Sequence, residues 1–191
     1  MTRRADQQRL RILDAAQACF VREGFHAASM ASIAEQAGMS PGLIYRYFDS
    51  KNAIILAIIE RQLQEKLASI ATLTEDPDVG RRFVDFFVRL RRADPDVVNP
   101  ALLLEIGAQA TRDPQIAAAL AASDRAAGEA LRAWLAEQLR SRGLEADDAS
   151  VHARALALQC LFDGLATRAV KDRSLEPGSL AAALDLVLPQ I

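Results

Sequence analysis

A chain of 191 residues in which 51% of the side chains are hydrophobic and 5% aromatic can bury one helical core or two small ones. Alanine dominates and strand-forming residues are scarce, so helix is favoured over sheet. The formal charge of −2 conceals a polarity, because residues 1–51 carry +2 and the remainder −4. A mildly basic end on an acidic body suits a protein that docks on a polyanion through that end. No apolar run reaches transmembrane length, and Met1-Thr2-Arg3-Arg4-Ala5-Asp6 lacks the apolar segment of a signal peptide, so no membrane partner and a cytoplasmic location are expected. Cys19 and Cys160 each sit in an apolar helical run without metal-ligand spacing, and core packing is expected for both, with a redox switch as the alternative. No Ser/His/Asp, Cys/His or paired-histidine constellation is present, so no enzyme, metal or cofactor is expected.

Polar residues 2–8, with Arg3 and Arg4, precede the first helix as a basic arm that either reaches DNA or frays into solvent. The first helix is expected from about Asp6 to Arg22, where Ile12, Ala15, Ala16, Cys19 and Phe20 form one apolar stripe and Glu23-Gly24 ends it. His26, alone in the following loop, is given no role.

The stretch from Ser29 to Lys51 is the most informative. Ser29 caps a short helix whose Ile33, Ala34 and Ala37 recur at helical spacing, and Gly38 suits the left-handed residue that ends it. Ser40 can cap a second helix at once, with Pro41 at its first turn and Ile44 and Phe48 on its buried side. Two short helices joined by a glycine turn are a helix-turn-helix. Its outward face presents Ser40, Gly42, Tyr45, Arg46 and Tyr47, with Lys51 just beyond. Hydroxyls and cations of this kind match phosphate oxygens and base edges, and bare backbone at Gly42 allows close approach to a duplex. Tyr47 is expected to divide its roles, the ring packing and the hydroxyl reaching out. Lys51 at a helix N-terminus opposes the helix dipole, which makes sense beside a phosphate.

This segment, with its Tyr45-x-Tyr47-Phe48 and the following Ser50-Lys51, resembles the tetracycline-repressor (TetR) family of bacterial regulators over roughly residues 8–55. The resemblance implies an all-α protein with an N-terminal three-helix, homeodomain-like helix-turn-helix head and a C-terminal helical regulatory domain. We place the boundary inside the fourth helix, giving domains 1–54 and 55–191. The family reads bases with the first turn of its recognition helix, which maps onto Ser40, Pro41, Gly42 and Leu43. Arg4, Ser29 and Met30 join Tyr45, Arg46, Tyr47 and Lys51 as candidate DNA contacts. Pro41 brings no donor, so readout leans on backbone approach, Arg46 and DNA shape.

A fourth helix is expected from Lys51 to about Leu73, with Ile55, Ile59, Leu63, Leu67 and Ile70 in one seam. Further helices are expected over about 79–93, 100–110, 114–140, 147–170 and 178–188, broken at Asp94-Pro95, Asn99-Pro100, Asp113-Pro114, Arg142-Gly143 and Glu176-Pro177-Gly178. Phe86, Trp134 and Phe162 with Glu105 and Gln109 either form plain core or, by family analogy, line a cavity for a small effector. Glu105 inside the apolar run 101–108 either faces water or needs a partner for a buried carboxylate. His152 near Asp147 and Asp148 reads as a surface group beside a helix cap. The resemblance also implies a homodimer in which the last two helices pair with their copies, through Leu156, Leu180, Leu184, Val187 and Leu188. Dimerisation has a physical motive, since two recognition helices related by a two-fold axis read half-sites about 34–36 Å apart. The expected function is a dimeric repressor of operator DNA, released by a small molecule. An activator or corepressor-dependent regulator shares every DNA-facing residue, and a helical interaction module without DNA binding is the alternative from another class.

Overall fold

The computed structural model describes residues 3–74, 78–92, 94, 97–144 and 147–190. Among these residues the secondary structure is entirely helical. The elements are α1 (Arg3–Ala27), α2 (Met30–Ala37), α3 (Pro41–Tyr45), α4 (Lys51–Ala71), α5 (Val79–Arg91), α6 (Pro100–Ala110), α7 (Pro114–Ser141), α8 (Asp148–Lys171) and α9 (Pro177–Val187), with single 3₁₀ turns at Thr72–Thr74 and Leu188–Gln190. Parts of the expected interhelical loops, at 75–77 and at Pro95, lie outside the described residues.

The chain divides into two compact units. The first comprises residues 1–62 and 101–121, the second 63–100 and 122–191, so the divisions fall within α4, at the start of α6 and within α7. This partition differs from a single cut between 54 and 55 because α6 packs with the N-terminal helices.

In the first unit, the stripe expected on α1 is buried, and Ile12, Ala16 and Cys19 are fully enclosed. The stripe packs over Ile33, Ala34 and Ala37 of α2, Ile44 of α3 and Ile54, Ile55, Ile58 and Ile59 of α4. Leu102 and Ile106 of α6 and Ile116 of α7 belong to the same core. Two short helices bury too little alone, and these three residues add the apolar cover that they need. α1 continues past its expected end, but Gly24 breaks it with φ 76° and ψ 161°, a kink rather than a terminus.

Between α2 and α3 the chain turns at Gly38, whose φ of 62° and ψ of 41° are left-handed. The Gly38 N–H donates to Glu35 O (3.0 Å) and the Met39 N–H to Ala34 O (2.9 Å), the paired bonds of a Schellman motif.

In the second unit α5 packs against α8 and α9, and the buried side chains are Phe87 and Leu90 of α5, Val151, Ala155, Leu158, Leu165, Ala166 and Ala169 of α8, and Leu180 and Leu184 of α9. Arg91 fixes the approach to α9 by donating to the carbonyls of Leu175 (2.6 Å) and Arg173 (2.6 Å). Cys19 is buried as expected, but Cys160 is exposed, because the side of α8 that packs runs through Ala155, Leu158 and Leu165 instead.

The Gly38 conformation generates a stability prediction. Gly38→Ala loses about 1–2 kcal/mol of unfolding free energy in urea titration, the cost of a Cβ in the left-handed region. Gly38→Asn, whose side chain tolerates that region, loses clearly less.

Candidate nucleic-acid interface

Local hydrogen bonds set the two helix starts. Ser29 Oγ accepts the Ser32 N–H (2.9 Å) while Ser32 Oγ accepts the Ser29 N–H (2.9 Å), a reciprocal capping box at α2. Ser40 Oγ accepts the Leu43 N–H (3.3 Å), and Pro41 occupies the first turn of α3. Ile44 and Phe48 are buried beneath. With its inner side sealed, α3 leaves Ser40, Pro41, Gly42, Tyr45 and Arg46 exposed, Tyr45 at 52%. A Cβ built on Gly42 would meet no atom within 4 Å. Leu43 is half-buried.

Three candidates sit differently from expectation. Met30 is half-buried against the core, as is the Tyr47 ring, so Met30 offers a groove less than foreseen. Arg4 is exposed but belongs to the first turn of α1, so the basic segment is helical there rather than an extended arm. Lys51 requires a correction. Its Nζ donates to the carbonyls of Phe25 (2.7 Å), His26 (3.2 Å) and Ala28 (2.6 Å), and stands 4.6 Å from the centre of the Phe25 ring. An ammonium has three protons, and three acceptors take them. Burial pushes its pKa below the ordinary lysine value. The cation at the start of α4 therefore serves the peptide groups of the α1–α2 corner in the free chain.

Glu105, for which a cavity lining, plain core and a water-facing carboxylate are the alternatives, finds a partner in the chain itself: its Oε2 accepts the Phe25 N–H (3.2 Å) within the first unit. The partner that a half-buried carboxylate needs is a backbone amide freed by the kink at Gly24. Gln109 is buried in the first unit too, whereas Phe86, Trp134 and Phe162 belong to the second. There the rings of Phe86 and Phe162 stack at 4.5 Å, and Trp134 keeps its Nε1 enclosed without a hydrogen-bond partner among the described residues. Of the five residues expected at a two-fold interface, Leu180 and Leu184 are spent inside the second unit's core. Leu188 is half-buried with its Cδ1 3.3 Å from a Cβ built on Gly80. Leu156 and Val187 are exposed, as is Leu186, at 78%.

The sequence pattern missed Arg9. Its guanidinium lies 4.4 Å from the centre of the Phe48 ring, and Nη1 donates to Tyr47 O (3.2 Å). It thereby holds the segment just after α3 against α1, a long-range tie that helical periodicity does not signal. Asn52 Nδ2, likewise unforeseen, donates to Asp113 Oδ2. Among the described residues no group of three or more His, Cys, Asp or Glu side chains is placed to hold a metal, and no helix is long and apolar enough to cross a membrane.

A short exposed helix behind a capped glycine turn, seated on a core closed by longer helices, defines a helix-turn-helix protein of the DNA-binding class. Comparison with known proteins gives the family. Residues 12–58 match the bacterial regulatory proteins of the tetR family, and residues 78–190 match the BetI-type transcriptional repressor, C-terminal. The chain belongs to the TetR family of bacterial transcriptional regulators, which are not enzymes. It is 40% identical over 122 residues to the HTH-type transcriptional regulator UidR of Escherichia coli K12, a match covering 63% of this chain and 60% of UidR. The chain thus spans less than two thirds of that relative. It is 29% identical over 181 residues to the HTH-type transcriptional repressor Rv1474c of Mycobacterium tuberculosis, covering 94% of this chain and 90% of the repressor. Among solved structures, Salmonella enterica GusR superposes with a TM-score of 0.71 at 27% identity, over 96% of each chain.

The tie made by Lys51 separates stability from DNA contact. Lys51→Met strands three carbonyl groups and lowers unfolding free energy by about 1–3 kcal/mol in urea titration. A lysine that only met phosphate would leave stability unchanged.

Proposed function

We propose that this TetR-family regulator is a homodimeric repressor that binds a palindromic operator through α3 and is released by a small-molecule effector. The exposed run Ser40, Pro41, Gly42, Tyr45 and Arg46, over a sealed inner face, carries the reading. The N-terminus of α3 and the bare backbone at Gly42 approach base edges, while Ser29, Ser40, Tyr45, Arg46 and the Tyr47 hydroxyl meet phosphate oxygens. Arg4, on the first turn of α1, is a peripheral phosphate contact. The cytoplasm is the compartment in which such a regulator meets DNA.

Dimerisation is supported by Leu156 of α8 and Leu186 and Val187 of α9, large apolar side chains left in solvent within one chain. The effector site is proposed in the second unit at Phe86, Phe162 and Trp134, whose indole N–H, without a partner among the described residues, offers a donor to a ligand. Repression is favoured by the BetI-type repressor match and by Rv1474c. The HTH-type transcriptional activator FasR of Mycolicibacterium smegmatis, 30% identical over 145 residues, keeps activation as the second reading. Transcription from a promoter carrying the recovered operator, with and without the protein, separates them by sign.

The DNA reading is tested with a duplex recovered by the chain from a randomised pool. Affinity falls steeply as salt is raised, and Arg46→Ala flattens that slope. Gly42→Ala, whose new methyl meets nothing in the free protein, leaves stability intact yet weakens the recovered duplex by about tenfold, the size of one lost base contact. Recovery of no duplex, with no salt-dependent affinity for DNA, would leave only the interaction module.

The dimer is tested separately. Leu156→Glu combined with Leu186→Glu sediments as a folded monomer, whereas the unsubstituted chain sediments as a dimer. Equal sedimentation of the two would remove α8 and α9 from the interface.

A further inference from the structure

We propose that Glu105, on α6, is a positioning residue for DNA binding that holds the corner from which the helix-turn-helix springs. Glu105 lies outside residues 12–58, the part of the chain that matches the family's N-terminal domain, and inside the match to the repressor C-terminal region. It nevertheless folds with the N-terminal helices, in one compact unit.

The geometry centres on one peptide unit. Gly24 has a backbone conformation that breaks α1, so the helical hydrogen-bond ladder fails there and the groups around it need other partners. Glu105 Oε2 takes the Phe25 N–H at 3.2 Å. Both carboxylate oxygens lie just under 4 Å from the place a Gly24 Cβ would occupy, at 3.8 and 3.9 Å. On the other side of the same residue, Lys51 Nζ donates to Phe25 O (2.7 Å), and it donates also to Ala28 O (2.6 Å). Phe25 is thereby held at its N–H by an anion from α6 and at its C=O by a cation from α4. Its ring is buried against Phe20, with centroids 5.4 Å apart.

The helix that carries Glu105 is itself fixed. Leu102 and Ile106, its neighbours on α6, are buried in the core beneath the helix-turn-helix. A second tie lies just beyond this helix, before α7, where Asp113 Oδ2 accepts from Asn52 of α4. Asp113 Oδ1 also accepts the N–H groups of Gln115 (2.9 Å) and Ile116 (3.2 Å), which anchors it at the start of α7. Glu105 therefore acts from a rigid base on a corner four residues before Ser29, the cap of α2. Because binding constellations tolerate displacements of only about 0.5 Å, a loose corner misplaces α3 even though Glu105 touches no DNA.

The inference rests on the DNA-binding reading above, and the experiment keeps the two apart. It uses the full chain and the duplex that the unsubstituted protein recovers from a randomised pool. Two quantities are measured for each variant, namely amide hydrogen exchange at Phe25 in the free protein and duplex affinity at fixed salt. Glu105→Leu removes the acceptor, and both exchange rate and dissociation constant are expected to rise about tenfold, as for a lost hydrogen bond to a charged group. Glu105→Asp keeps the charge but withdraws the carboxylate by one methylene, and follows Leu; it also serves if Leu at this position does not fold. Glu105→Gln keeps an acceptor oxygen at the right reach and returns both quantities to within about threefold of the unsubstituted chain. Unchanged Phe25 exchange or unchanged duplex affinity in both the Leu and Asp variants overturns the proposal, as does a Gln variant no better than Leu. Failure of the unsubstituted chain to recover any duplex overturns the DNA-binding reading itself, and with it the positioning role.

Discussion

A helix of five residues has no stability of its own. Nucleating even one turn is unfavourable, and α3 gains only that turn before the chain leaves it. Its existence depends on burying Ile44, fully enclosed, and Phe48 just after it, under longer helices that are stable for other reasons. The first unit is arranged around this constraint. α1 supplies the lid and α2 the adjacent wall, while Gly38 supplies the left-handed turn that brings α3 back across them. Arg9 then covers the exit of α3 by stacking on Phe48 and bonding Tyr47 O. Because every inward position is spent on this burial, the outward positions are free of structural duty. Tyr45, Arg46 and the bare backbone at Gly42 can then be chosen for what they touch.

The same logic explains why the N-terminal unit recruits residues from far along the chain. α1, α2 and α3 leave an apolar side of the core uncovered, and Leu102, Ile106 and Ile116 complete it. Hydrophobic cover is non-directional and asks only for area. The polar ties made alongside it are directional, and they decide orientation. Glu105 adjoins Ile106 on α6, and Asp113 stands three residues before Ile116 at the start of α7, where packing already limits their motion. In this arrangement dispersion and burial bring the segments together, and a few charge-assisted hydrogen bonds determine how they face.

Much of the fold was legible in the sequence. Capping serines at 29 and 40, the glycine at 38 and the proline at 41 located α2 and α3 closely, because each residue type answers a local backbone requirement. Proline and glycine breaks placed α5 through α9 to within a few residues. The buried stripe of α1 followed from its period. What periodicity could not settle was which apolar side of a helix faces the interior when more than one exists. α8 carries apolar residues at Leu156 and Cys160 as well as at Ala155, Leu158 and Leu165, and only the second set is buried within the chain. On α9 the aliphatic residues run nearly all round, so Leu180 and Leu184 were indistinguishable from Leu186 and Val187 until neighbours were present.

Polar residues were harder to read, for a physical reason that Lys51 and Glu105 share. Each sits where the sequence offers no local partner, a cation at a helix start and a carboxylate in an apolar run. A missing local partner suggests a ligand, yet it equally suggests a backbone group elsewhere that has lost its own partner. Gly24 creates such groups by interrupting α1, and nothing in the local pattern of residues 51 or 105 reports an event at residue 24. Phe25 is the meeting point, with its N–H served by Glu105 and its C=O by Lys51. Kinks in long helices should therefore be counted as sinks for distant charged side chains before those side chains are assigned to DNA or to an effector. By that measure the residues with the strongest claim on DNA are Tyr45 and Arg46, which are exposed and whose side chains do no visible structural work.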